Sequence, residues 1–144
     1  MSKGQEKMDT MISSLRKWQG IERQAMTQTT EIIEKTSNPF IRMIMEVIRH
    51  DSAMHHRVQA LIIDSLTNQN INLSPEEIAE VWTLIEQHDE TEREVIEIAK
   101  ELREHAFTPV HRQLFDYLLT DEQKHDRLLE QLGEMKKELA RATQ

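Results

Sequence analysis

Apolar residues recur every three or four positions along four long stretches of the chain, the spacing that lays one stripe down an α-helix. The first stripe runs through Met8, Met11, Leu15, Trp18, Glu22, Ala25, Thr29 and Ile32. The second takes in Ile41, Ile44, Ile48, Asp51, His55, Val58 and Ile62. The third follows Ile78, Val81, Ile85, His88, Glu92, Val95, Ala99 and Leu102, and the fourth Leu114, Leu118, Asp121, His125, Leu128, Leu132 and Met135. Every stripe is apolar at both ends and ionisable in the middle. Stripes of this kind are the buried seams of a helical bundle with coiled-coil-like packing.

The punctuation agrees with four helices. Pro39, Pro75 and Pro109 each suit the first position of a helix, where the missing N–H has no partner to lose. Each follows a residue whose side chain can cap a helix: Asn38, Ser74 and Thr108. Ser74-Pro-Glu-Glu77 reads as a capping box, and residues 67–73 before it form a polar loop. The predicted helices span about 5–36, 39–66, 75–106 and 109–141, with ends good to about 2–4 residues.

The halves of the chain repeat. An offset of 70 residues superposes Glu22 on Glu92, Asp51 on Asp121, His55 on His125 and Pro39 on Pro109, together with Arg23, Arg42 and Arg57 on Arg93, Arg112 and Arg127. Only 10 of 74 aligned pairs are identical, but five of the ten are the seam acids, the seam histidine with its neighbouring Arg, and the helix-starting proline. The chain therefore reads as a single all-α domain over residues 1–144, an antiparallel four-helix bundle made of two related hairpins, 5–66 and 75–141. Glu22 lies 17 residues before Pro39 and His55 lies 16 after it, so both stand roughly 24–26 Å from the hairpin turn at about 1.5 Å per residue. Glu92 and His125 keep the same distances from Pro109. Packing the two hairpins would gather these residues into one polar layer.

Composition narrows the chemistry. The chain of 144 residues has 3 Gly, 3 Pro and 4% aromatic residues, which fits helices and lacks the frequent turn residues of a β-protein. With no Cys, disulfides, thiolate zinc sites and iron–sulfur clusters are excluded. A net charge of −8 argues against nucleic acid as a partner, and no apolar run approaches a membrane span. The N-terminus lacks a signal-peptide core, so the expected location is the cytoplasm.

For a lone Glu or His on a helix seam, the ordinary reading is a satisfied core residue or one that reaches solvent. Here the layer holds Glu22, Glu92, Asp51, Asp121 and nearby Glu122 against His55, His125 and His88. Burying several carboxylates without counter-charge costs several kcal/mol per ion. A multivalent cation resolves that balance, and oxygen and nitrogen donors without sulfur suit iron or manganese, with zinc also admissible.

These residues resemble the ferritin-like di-iron carboxylate proteins of the rubrerythrin and bacterioferritin kind. Members place one Glu on each of two helices and a Glu-x-x-His on each of the other two, and Glu22, Glu92 and Glu122-Gln-Lys-His125 match parts of that pattern. The resemblance implies Glu22 and Glu92 as single carboxylate ligands, His55 and His125 as imidazole ligands, and Glu122 as a carboxylate able to bridge. It further implies Asp121 as an outer residue orienting a ligand His from a neighbouring helix, with Asp51 its counterpart. The second helix departs from the pattern. Ser52 stands where Glu122 has its counterpart, so either Asp51 serves as a ligand, or the site is asymmetric, or it holds one metal. His88, one turn before Glu92 and aligned with Trp18, is a further ligand or a hydrogen-bond partner of Glu92. His50, His56, His105 and His111 read as surface or helix-end residues.

The activity implied by the resemblance is binding of Fe2+ at a dinuclear centre and its reaction with O2 or peroxide, as an oxidase, ferroxidase or peroxidase, with electrons from an external donor. The competing reading is a metal-free or single-metal bundle serving as an interaction or assembly module. The short connection between the second and third helices leaves an up-down-up-down order, a crossover and a hairpin-exchanged homodimer all open.

Overall fold

The computed structural model describes residues 2–142. Among them are four α-helices and no strand: α1 Lys3–Lys35, α2 Pro39–Thr67, α3 Pro75–Glu104 and α4 Pro109–Ala142. The all-α class and the four expected helices are present, with ends shifted by no more than two residues. Helix α1 packs antiparallel on α2 and α3 on α4, making two compact units, Met1–Ile71 and Asn72–Gln144. The unit boundary coincides with that of the sequence repeat.

The helix starts follow from their caps. Ser2 Oγ accepts the N–H of Gln5, and Asn38 Oδ1 accepts those of Phe40 and Ile41. Ser74 and Glu77 form a full capping box, each side chain accepting the other's backbone N–H at 3.1 and 3.0 Å. Thr108 Oγ1 accepts the N–H of His111 at 3.1 Å. Each proline at the start of a helix supplies a fixed φ and has no N–H that needs a partner.

Within the first hairpin the buried line passes through Leu15, Glu22, Thr29 and Ile33 on α1 and Ser52 and Gln59 on α2. In the second it takes in Ile78, Glu92, Ile96 and Ala99 on α3 and Leu119 on α4. This corrects the seams read from spacing alone. Leu15, Glu22, Thr29, Ile78, Glu92 and Ala99 lie on the buried line as expected. Trp18, Ile48, Val58, Val81, Leu118 and Leu128 do not, being about half exposed. The physical reason is geometric. Two helices touching along one line bury a stripe narrower than the apolar face that periodicity detects.

Polar contacts fix the register of each hairpin. In the first, Gln19 Nε2 donates to the His56 carbonyl at 3.3 Å, and Arg23 Nη1 lies 3.0 Å from His56 Nε2. In the second, the equivalent positions hold acids: Arg93 pairs with Asp89 at 2.8 Å and reaches Asp126 at 3.9 Å. Arg103 pairs with Asp116 nearer the turn. His56 is thus a half-buried interhelical residue rather than the surface residue expected from its place beside His55.

Candidate metal centre

The sequence repeat has a counterpart in three dimensions. In the first hairpin Glu22 is buried, and its Oε1 accepts the indole N–H of Trp18, one turn earlier, at 2.9 Å. Across the helix pair, His55 Nδ1 lies 3.5 Å from the same oxygen. In the second hairpin Glu92 is buried to 7% exposure, and its Oε1 stands 2.9 Å from His88 Nε2 and 3.6 Å from His125 Nδ1. Both hairpins therefore build one motif: a buried Glu, a nitrogen one turn before it, and an imidazole from the facing helix.

The hairpins differ at the position before that imidazole by three residues. The first has Ser52, a buried hydroxyl. The second has Glu122, whose Oε2 is 3.6 Å from His125 Nδ1. One ligand atom from each of Glu92, Glu122 and His125 lies within 4.8 Å of the others, a set able to hold a metal ion. Asp121 Oδ2 faces His125 Nε2 at 3.4 Å while its other oxygen meets Lys124 at 2.8 Å. Asp121 thus steadies the imidazole of its own helix, one turn on, rather than a histidine of a neighbouring helix. It leaves Nδ1 turned toward the two glutamates.

The electrostatics show what this set lacks. Glu92 Oε2 is buried with no hydrogen-bond donor among the described residues. The side chain beside it is a second carboxyl, that of Glu122. Proximity to the Glu122 carboxyl holds Glu92 below its ordinary value, aided by the charges of His125 and His88, against the opposing effect of burial. The same proximity pushes Glu122 above its ordinary value, and burial and the charge of Glu92 add to it. A similar pair lies one turn away, where a hydrogen bond to Asp126, followed by burial, raises Asp89.

Of the residues expected at the site, the structure brings together Glu92, Glu122 and His125, with His88 and Asp121 against them. It separately joins Glu22 to His55. Asp51 is half-buried, and the carboxylate that His55 faces is that of Glu22. Two features escaped sequence reasoning: the Trp18–Glu22 hydrogen bond and the Asp89–Arg93–Asp126 group. The offset of 70 carries a signal for the second, because it aligns Gln19 with Asp89 and His56 with Asp126, exchanging a neutral interhelical contact for an acidic one. Compared with models of known families, with curated proteins and with solved structures, the chain matches none.

Proposed function

We propose that the chain is a metal-binding protein whose second hairpin holds a divalent cation between Glu92, Glu122 and His125. The observation that carries this reading is the buried Glu92 Oε2 without a donor, beside a second carboxyl and an imidazole. Without a cation, the neighbouring Glu92 and burial hold Glu122 above its ordinary value. With one, both carboxylates and the imidazole become ligands. The separations of 3.6 Å from His125 Nδ1 to each carboxylate suit neighbouring ligands at about 2.0–2.2 Å from one ion.

The donor set is oxygen and nitrogen only, which favours iron or manganese over ions that prefer thiolate. Iron at such a site supplies reduction of O2 or peroxide. The chain's own part is to hold the carboxylates, keep His125 in one tautomer through Asp121, and limit water around Glu92. A dinuclear centre of the ferritin-like kind would draw on Glu22 and His55 as well. Ser52 is the residue that weighs against full symmetry.

Metal analysis of protein purified without chelator, followed by anaerobic Fe2+ titration and then admission of O2, tests the proposal. One tight equivalent per chain, lost in Glu92→Gln, supports the second-hairpin site. Two equivalents, of which one is lost in Glu22→Gln, support the dinuclear form. No uptake by the unaltered chain refutes both. A second reading, an assembly module, is favoured by the half-exposed Trp18, Ile21, Met54, Val58 and Leu61 of the first hairpin. Sedimentation over a concentration series checks it, since self-association through that surface would appear as a dimer independent of metal.

A further inference from the structure

His88 is not needed to complete the three-residue set, yet its Nε2 is the nitrogen nearest to Glu92, 2.9 Å from Oε1. Its side chain is 59% exposed while that of Glu92 is 10% exposed, so the pair links solvent to the buried carboxylate. The first hairpin holds a different group at the same position. Trp18 donates to Glu22 over the same 2.9 Å, but an indole N–H is a donor only and offers no lone pair to an ion. An imidazole can exchange its proton for a metal. Residues four apart on a helix lie on one face, which is how paired side chains on a single helix grip a cation. The 2.9 Å separation also equals the spacing of two adjacent ligands about 2.1 Å from an octahedral ion.

We propose that His88 and Glu92 form an outer divalent-cation position, open to solvent, that loads the buried site of Glu92, Glu122 and His125. The proposal rests on the metal-binding reading of that inner site. An arriving ion is held first by the exposed imidazole and Glu92 Oε1. It then passes to the inner ligands as Glu92 brings its second oxygen to bear. The transfer needs only a change of ligands around one carboxylate that both positions share.

The test uses the full chain and Co2+, whose visible absorption reports nitrogen and oxygen coordination without redox chemistry. Calorimetric titration gives the number of ions bound, and stopped-flow absorbance gives the loading rate. The unaltered chain is expected to show a tight equivalent and a weaker one. His88→Ala and His88→Gln should each keep the tight equivalent, lose the weaker one, and load at least about tenfold more slowly. The glutamine variant is decisive, because its amide can still donate to Glu92 but is a poor ligand. Unchanged loading in both variants overturns the proposal. So does a glutamine variant that behaves like the unaltered chain, which would make His88 a positioning residue only. No Co2+ uptake by the unaltered chain would instead overturn the inner site on which the proposal rests. Because the side chain is mostly in solvent, neither variant should disturb folding, and unchanged helical circular dichroism checks that.

Discussion

Gln59 offers a sharp test of how the first hairpin is held together. Its side chain is 3% exposed between α1 and α2, and neither its Nε2 nor its Oε1 has a hydrogen-bond partner among the described residues. A buried polar group left unsatisfied costs about 1–3 kcal/mol, whereas an apolar replacement of similar shape can be neutral or stabilising. The repeat supplies the replacement: the residue 70 positions on is Leu129, at the same level of the second hairpin. Gln59→Leu removes both unsatisfied atoms and keeps most of the volume. After discounting for imperfect repacking and for the unfolded state, the expected gain is about 2 kcal/mol. With a urea dependence of about 1–3 kcal/mol per molar, the unfolding midpoint should rise by roughly 1 M. Urea titration followed by circular dichroism measures this directly. Gln59→Ala, which removes the amide but leaves a cavity, should gain little or lose stability. A Gln59→Leu variant that is less stable than the parent would refute the reasoning, because it would mean that the amide is satisfied. Co2+ uptake by Glu92, Glu122 and His125 should be unaffected, since these ligands belong to the second hairpin and Gln59 to the first.

Other outcomes follow from the site. Ser52→Glu in chelated buffer should destabilise the first hairpin by placing a carboxylate at a buried position, and added Co2+ should restore the loss; thermal melts with and without the ion check this. Because the neighbouring Glu92 holds Glu122 above its ordinary value, the metal-free site keeps its proton to higher pH than a free carboxyl does, and a cation competes with that proton. Affinity should therefore rise with pH until Glu122 ionises and fall as pH drops, with a heat of binding that depends on the buffer; a flat profile refutes it. Asp89 is likewise raised, so its shared proton favours the fold at pH below the ordinary carboxylate range, and that contribution is lost as pH rises through the raised value. Asp89→Asn should flatten this part of the stability–pH curve, as read from unfolding midpoints between acid and neutral pH.

Much of the architecture was legible in the chain itself because it depends on local rules. Proline at the first helical position, Asn38, Ser74 and Thr108 as caps, and the shortage of glycine act over a few residues, and the helices begin where those residues stand. The pairing of Glu22 with His55 and of Glu92 with His125 was also legible. Equal distances from a hairpin turn force equal heights on two antiparallel helices. The line of burial was less so. Periodicity marks a whole apolar face, while contact between two helices selects one edge of it, and so Ser52 and Gln59 are buried while Val58 is half exposed.

By itself, then, the sequence determined the helices, their limits, the repeat and the level at which acids and imidazoles meet, all of them consequences of spacing along one chain. Only the tertiary structure decided how each side chain is satisfied. It turned His88 toward Glu92 and Trp18 toward Glu22, set Asp121 behind His125, and left Glu92 Oε2 buried without a donor. Those outcomes depend on rotamers and on approach between helices, which distance along the chain does not encode. The resulting asymmetry is chemical: the buried carboxylate of the first hairpin accepts an indole N–H, whereas that of the second lies against an imidazole one turn earlier and a second glutamate.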